Sequence, residues 1–108
     1  MAGNIIEGTD SNFDDVVINS DVPTVVDFWD TWCVPCKTLN PILEELSTTY
    51  AGKVKIVKVN SDQNNIGSKF NIMGLPTLIA FRNGEIVGRM QGFKNKKGVL
   101  DFIEQAAG

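Results

Sequence analysis

Cys33 and Cys36 are the only cysteines of the chain and stand three positions apart in the stretch DFWDTWCVPCK. A C-x-x-C pair can be half of a metal site, a redox couple or a structural staple. As a staple it is poor, because closing so small a loop contributes only about 2 kcal/mol before any strain. As a metal half-site it needs a second copy in another chain. The sequence has no histidine, which excludes imidazole-base catalysis and His-containing zinc sites. Position favours redox chemistry. Cys33 falls where an apolar run ends and a long amphipathic stripe begins, so its sulfur can lie beside the unpaired amide hydrogens and positive end of a helix. That setting stabilises a thiolate. Cys36, one turn on, is expected to point inward. Cys33 is then the nucleophile that attacks a partner's disulfide, and Cys36 the resolving thiol that closes the Cys33–Cys36 disulfide.

The second step requires Cys36 to lose its proton. Asp27 sits inside Val25-Val26-Asp27-Phe28-Trp29, where burial should raise the pKa of a carboxyl and suit it to accept that proton. Lys58, in Lys55-Ile56-Val57-Lys58-Val59, is a candidate neighbour of Asp27. Strand alternation puts Lys55 and Lys58 on opposite faces, and either could be a solvated surface lysine.

These residues need elements to position them. Ile5-Ile6 reads as a short first strand. A helix over Ser11–Val17 is expected next, capped by Asp10 or Ser11. Val25–Trp29 reads as a strand buried on both faces of a parallel sheet. Leu39, Ile42, Leu43, Leu46 and Tyr50 form the stripe of one helix over Val34–Tyr50, with Pro35 suited to its first turn and Pro41 expected to kink it. Val54–Val59 is a strand, and Gln63–Phe70 a short helix with Ile66 and Phe70 inward. Thr77–Arg82 and Glu85–Met90 flank Asn83-Gly84, a strong hairpin signal. A last helix runs over Asn95–Ala107. The order βαβαβαββα indicates an α/β protein: a central mixed sheet flanked by helices on both faces.

The totals agree. A chain of 108 residues, 43% hydrophobic and 21% charged, fits one domain over 1–108. A net charge of -3 and a pI near 4.8 give no electrostatic reason to expect nucleic acid or an anionic membrane. The stretch MAGNIIEGTD has neither the basic flank nor the long apolar core of a signal peptide. A cytoplasmic protein is the expectation.

DFWDTWCVPCK, the Pro41 within PILEEL, VNSDQN, the GLPT of Gly74–Thr77, FRNGE and Gly92 occur in an order and spacing that resemble the thioredoxin family over nearly the whole chain. The resemblance implies the thioredoxin fold and a protein-disulfide reductase that needs no cofactor or metal beyond its own redox-active disulfide. It implies disulfide-containing proteins as substrates, thioredoxin reductase as electron donor, and a monomer. By position it assigns Cys33, Cys36, Asp27 and Lys58 to the catalytic centre. It makes Pro76 a cis-proline beside the disulfide, and Trp32, Gly74, Leu75 and Gly92 the surface that holds substrate. Trp29 corresponds to a tryptophan packed beneath the site.

The sequence also departs from the family. Val34 replaces a usual glycine and, with Pro35, is expected to tune the redox couple. Met73 stands where a basic or polar residue is frequent, Gln91-Gly92-Phe93 alters an apolar patch, and Ser61 replaces an apolar residue. Two other readings remain open: an oxidase or isomerase on the same fold, and a binding module in which the thiols are incidental.

Overall fold

The computed structural model describes residues 4–108; residues 1–3 of the expected 1–108 domain lie outside it. Its strands are β1 (Ile6–Gly8), β2 (Thr24–Trp29), β3 (Lys55–Asn60), β4 (Thr77–Arg82) and β5 (Glu85–Gln91), and its long helices α1 (Val34–Thr49) and α2 (Lys96–Ala107). The strands form one sheet in the order β1-β3-β2-β4-β5. β1, β3 and β2 run parallel, while β4 and β5 are antiparallel additions. Thr24 to Phe28 of central β2 are all buried, as expected for a strand covered on both faces.

Alternation along the strands divides the core into two layers. Val25, Ile56, Leu78 and Ala80 meet Leu39, Leu43 and Leu46 of α1 and Val99, Ile103 and Ala106 of α2. On the other face, Val26, Phe28, Val57, Val59, Ile79 and Phe81 pack against Phe13 and Val17. Asp27 shares the α1/α2 face with Val25, and its register partner on β3 is Lys58. Lys55 ends on the opposite face, where its Nζ donates to the Val16 carbonyl at 2.9 Å.

The two short helices differ from the expected ones. The first is confined to Asp14–Ile18, and its Asn19 N–H reaches back five residues to the Asp14 carbonyl at 2.9 Å. Neither Asp10 nor Ser11 caps it. Thr9 and Asn12 instead hold the preceding turn reciprocally: Thr9 N–H donates to Asn12 Oδ1 at 2.6 Å and Asn12 N–H to Thr9 Oγ1 at 3.2 Å. The second forms only over Ile66–Phe70, because the Asn60 side chain accepts the Asp62 N–H and the Asn64 side chain donates to the Asn60 carbonyl, drawing the preceding backbone into local side-chain bonds. Ile66 and Phe70 do face the core.

α1 runs through Pro41, whose ring is exposed on the solvent side; the proline leaves the Lys37 carbonyl without its helical donor. Asn95 caps α2 by accepting the Gly98 N–H at 2.9 Å. Arg82 closes the other end of α2, donating to the Ala106 carbonyl at 2.8 Å, where a cation suits the negative helix terminus.

The β4–β5 turn places Asn83 at φ 55° and Gly84 at φ 79°, the left-handed pair of a tight hairpin. A Cβ on Gly84 would also lie 3.2 Å from the Ile18 carbonyl. Gly84→Ala is therefore expected to lower the unfolding free energy by about 1–2 kcal/mol. Urea titration measures this, and an unchanged midpoint would show that the turn tolerates a side chain.

Candidate active site

The site forms at the end of the sheet where β2 stops. Asp30 turns the chain there: its carboxylate accepts the Trp32 N–H at 2.9 Å and its carbonyl the Cys33 N–H at 3.4 Å. Cys33 follows as the N-cap of α1, with extended backbone at φ -85° and ψ 107°. Its Sγ accepts the Cys36 N–H at 3.2 Å, so sulfur fills the place that a serine or aspartate oxygen takes in other helix caps. Pro35 lies in the first turn, where its missing N–H costs nothing. Cys33 and Cys36 are joined as a disulfide with Cα atoms 5.3 Å apart. Cys33 is half-buried, whereas Cys36 is fully buried.

Asp27, on the sheet face that α1 covers, is fully buried, with neither carboxylate oxygen hydrogen-bonded. Desolvation pushes its pKa up to about 7, against a smaller downward pull from Lys58. Lys58 is opposite Asp27 in the β2–β3 register, yet its ammonium lies over the Trp29 ring, 4.6 Å from the centroid. Such a cation–π contact fixes the charge near the acid without neutralising it. A cleft lined by Trp29, Lys58, Asn60, Ile5 and Glu7 opens beside them.

β4 brings the remaining expected residues to the same end of the sheet, since Thr77 pairs with Phe28. The Leu75–Pro76 peptide bond is cis and Pro76 is buried. Thr77 Oγ1 donates to the Gly74 carbonyl at 2.6 Å, and Gly92 N–H to the Pro76 carbonyl at 2.8 Å. Gly92 has φ 83°, a conformation that favours glycine. Trp32 (85% exposed) and Val34 (71%) flank Cys33 in the chain, and Met73 (74%) precedes Gly74. An uncharged groove of about 460 Å³ continues from Gly74 and Leu75 past Met73 to Ser61, Asn64 and Ser68.

Sequence reasoning passed over Asp30 and the Thr31–Asp62 hydrogen bond of 3.2 Å, which ties the cysteine loop to the loop after β3. Asp30 had a legible signal, an aspartate two residues before the loop amide it binds. The Thr31–Asp62 bond had none, because its partners are far apart in the chain. No cluster of three or more His, Cys, Asp or Glu side chains able to hold a metal occurs among the described residues.

A disulfide at a helix N-terminus, with one cysteine half-buried and the other fully buried, defines a class: protein thiol–disulfide oxidoreductases. The thioredoxin family model matches residues 4–105. The chain is 45% identical to the thioredoxin of Rickettsia felis over 107 residues, 98% of this chain and 99% of the other. Against the thioredoxin of Staphylococcus saprophyticus it is 48% identical over 102 residues, 94% of this chain and 96% of the other. Thioredoxin C-2 of Corynebacterium nephridii shares 43% over 106 residues, 97% and 98% of the two chains. This chain belongs to the thioredoxin family, and its fold is the thioredoxin fold.

Folded Asp27 titrates at about 7, against 3.8 for a free aspartate side chain. The folded chain therefore holds an extra proton between about pH 4 and pH 7 and loses stability as the pH rises through that window. The loss is on the order of 4 kcal/mol. Asp27→Asn should remove it, so wild type and variant diverge when urea unfolding is compared at about pH 4 and pH 8. Parallel pH dependence in the two proteins overturns the assignment.

Proposed function

We propose that Cys33 and Cys36 reduce disulfides of partner proteins by two successive exchanges. The reading rests chiefly on the unequal exposure of the two sulfurs across one helical turn. In the dithiol form, Cys33 is the thiolate, stabilised by the Cys36 N–H and the start of α1. It attacks one sulfur of the partner's disulfide; a mixed disulfide forms and the partner's other sulfur leaves as a thiolate, protonated from solvent. Asp27 takes the proton of Cys36. The Cys36 thiolate then attacks Cys33, the intramolecular disulfide forms, and the second partner thiolate leaves. Two electrons have passed to the partner, whose second thiolate, like its first, is protonated from solvent.

Lys58 holds Asp27 within reach of neutral pH by opposing part of its desolvation. Trp32, Gly74, Leu75, cis-Pro76 and Gly92 receive an extended substrate segment, with the backbone of Leu75 pairing to it as one strand pairs with another. Val34 and Pro35 tune the couple. The disulfide is the sole redox group and no metal takes part. Electrons return from a thioredoxin reductase, and the chain works as one domain and as a monomer in the cytoplasm. No helix among the described residues is long and apolar enough to cross a membrane.

Cys36→Ser should trap the mixed disulfide, visible as a covalent adduct on a non-reducing gel, while Cys33→Ser should form none. An adduct formed equally by both variants would assign the nucleophile wrongly. A binding module would keep its partner when both cysteines are replaced.

Val34 at the first helical position is exposed and β-branched, stiffening the turn that carries the thiolate. Val34→Gly is expected to move the reduction potential by on the order of 20 mV, or about 1 kcal/mol. Equilibration in dithiol buffers reads the shift; an unchanged potential removes Val34 from the tuning set. The wild-type potential also discriminates reductase from oxidase, since a reductant lies well below the glutathione pool.

A further inference from the structure

The short helix Ile66–Phe70 is gripped at both ends by side chains from distant parts of the chain. At its start, the Asp10 carboxylate accepts the Asn65 N–H at 2.9 Å and the Ile66 N–H at 2.8 Å. The Asp10 N–H in turn donates to Asn64 Oδ1 at 2.8 Å. At its other end, the Arg89 guanidinium of β5 donates to the carbonyls of Phe70 at 2.5 Å and Asn71 at 2.7 Å. An anion at the start and a cation at the end are the signs that suit a helical turn, and both sets of bonds are charge-assisted.

The grip has a mechanical reason. Five residues of this tight helix make too few internal bonds to hold their shape alone. Their inner face is fixed by Phe70, whose ring lies 5.5 to 6.0 Å from those of Phe81, Phe13 and Phe28. Their outer face is different. Asn64, Asn65, Gly67 and Ser68 form one wall of the groove whose other wall is Met73, Gly74 and Leu75. Asp10 and Arg89 therefore hold the two ends of that wall while contributing no lining to the groove.

We propose that Asp10 and Arg89 are positioning residues for the macromolecular substrate: a two-ended clamp that keeps residues 64–70 as a preformed wall of the docking groove. This rests on the reading above that Gly74 and Leu75 receive the substrate segment, and takes the groove that begins at those two residues as its continuation. With the wall already ordered, a substrate chain binds without the cost of ordering it. A small disulfide that reaches only Cys33 gains nothing from the clamp. Asp10 and Arg89 thus act on docking of a polypeptide and leave the exchange step alone.

The test compares the full-length reduced chain, Asp10→Ala and Arg89→Met in single turnover against insulin and against 2-hydroxyethyl disulfide. For insulin, the half-saturating concentration should rise about fivefold in either variant, with the plateau rate within about twofold. The rate constant for the small disulfide should stay within about twofold. Asp10→Asn, which keeps a carbonyl acceptor, should recover most of the insulin affinity and also serves if Asp10→Ala folds poorly.

Met73→Asp is the control for the groove itself. If Met73→Asp weakens insulin binding while the clamp variants do not, the clamp is refuted and the groove stands. If none of the three affects insulin, both readings fall. Equal slowing of insulin and the small disulfide would place the effect on the redox pair or the fold, and overturn the clamp.

Discussion

The burial of one carboxyl group without a hydrogen-bond partner is the constraint on which the site depends. An aspartate surrounded by Val25, Leu78 and Ile56 is costly once ionised, and a well-packed two-layer core must carry that cost. The same cost sets where the group titrates. A carboxyl exposed to water titrates well below neutrality, whereas desolvation brings Asp27 to about 7. Lys58 moderates this without cancelling it, because its ammonium is held over Trp29 instead of against the carboxylate.

The sheet topology follows the same need. Placing β2 between β3 and β4 buries the acid from both sides, and ending β2 at Trp29 lets α1 begin a few residues later and cover the face that carries the acid. One sulfur then caps the helix and stays accessible, while the other, three residues on, is turned into the core. Reversing β4 brings its N-terminal end, with cis-Pro76, to the same edge. Parallel and antiparallel pairings thus bring the start of a helix and the start of a strand to one end of the sheet, where the disulfide and cis-Pro76 lie.

Much of this was legible in the chain. The stripe Leu39–Tyr50, the β-rich run around Asp27 and the Asn83-Gly84 turn each have a local physical signature, and each element lies within a residue or two of where the pattern placed it. The two short helices were misjudged because the competition there is between side-chain and main-chain hydrogen bonds, which hydrophobic spacing does not weigh. Asp10 is the clearest case. Read locally it is a cap for the residues that follow it; in the fold it binds amides 55 and 56 residues away.

The sequence alone determined the chemical type: two cysteines at one helical turn, no histidine, and an acid in an apolar strand admit dithiol exchange and little else. It also determined the alternation of elements, since periodicity is a property of neighbouring residues. Only the tertiary structure decided that Lys58 rests on Trp29 rather than on Asp27, that Pro76 is buried beyond the start of β4, and that Asp10 and Arg89 meet at one short helix. Those pairings join residues remote in the chain. Burial and hydrogen-bond geometry select them only once the sheet has brought their strands together.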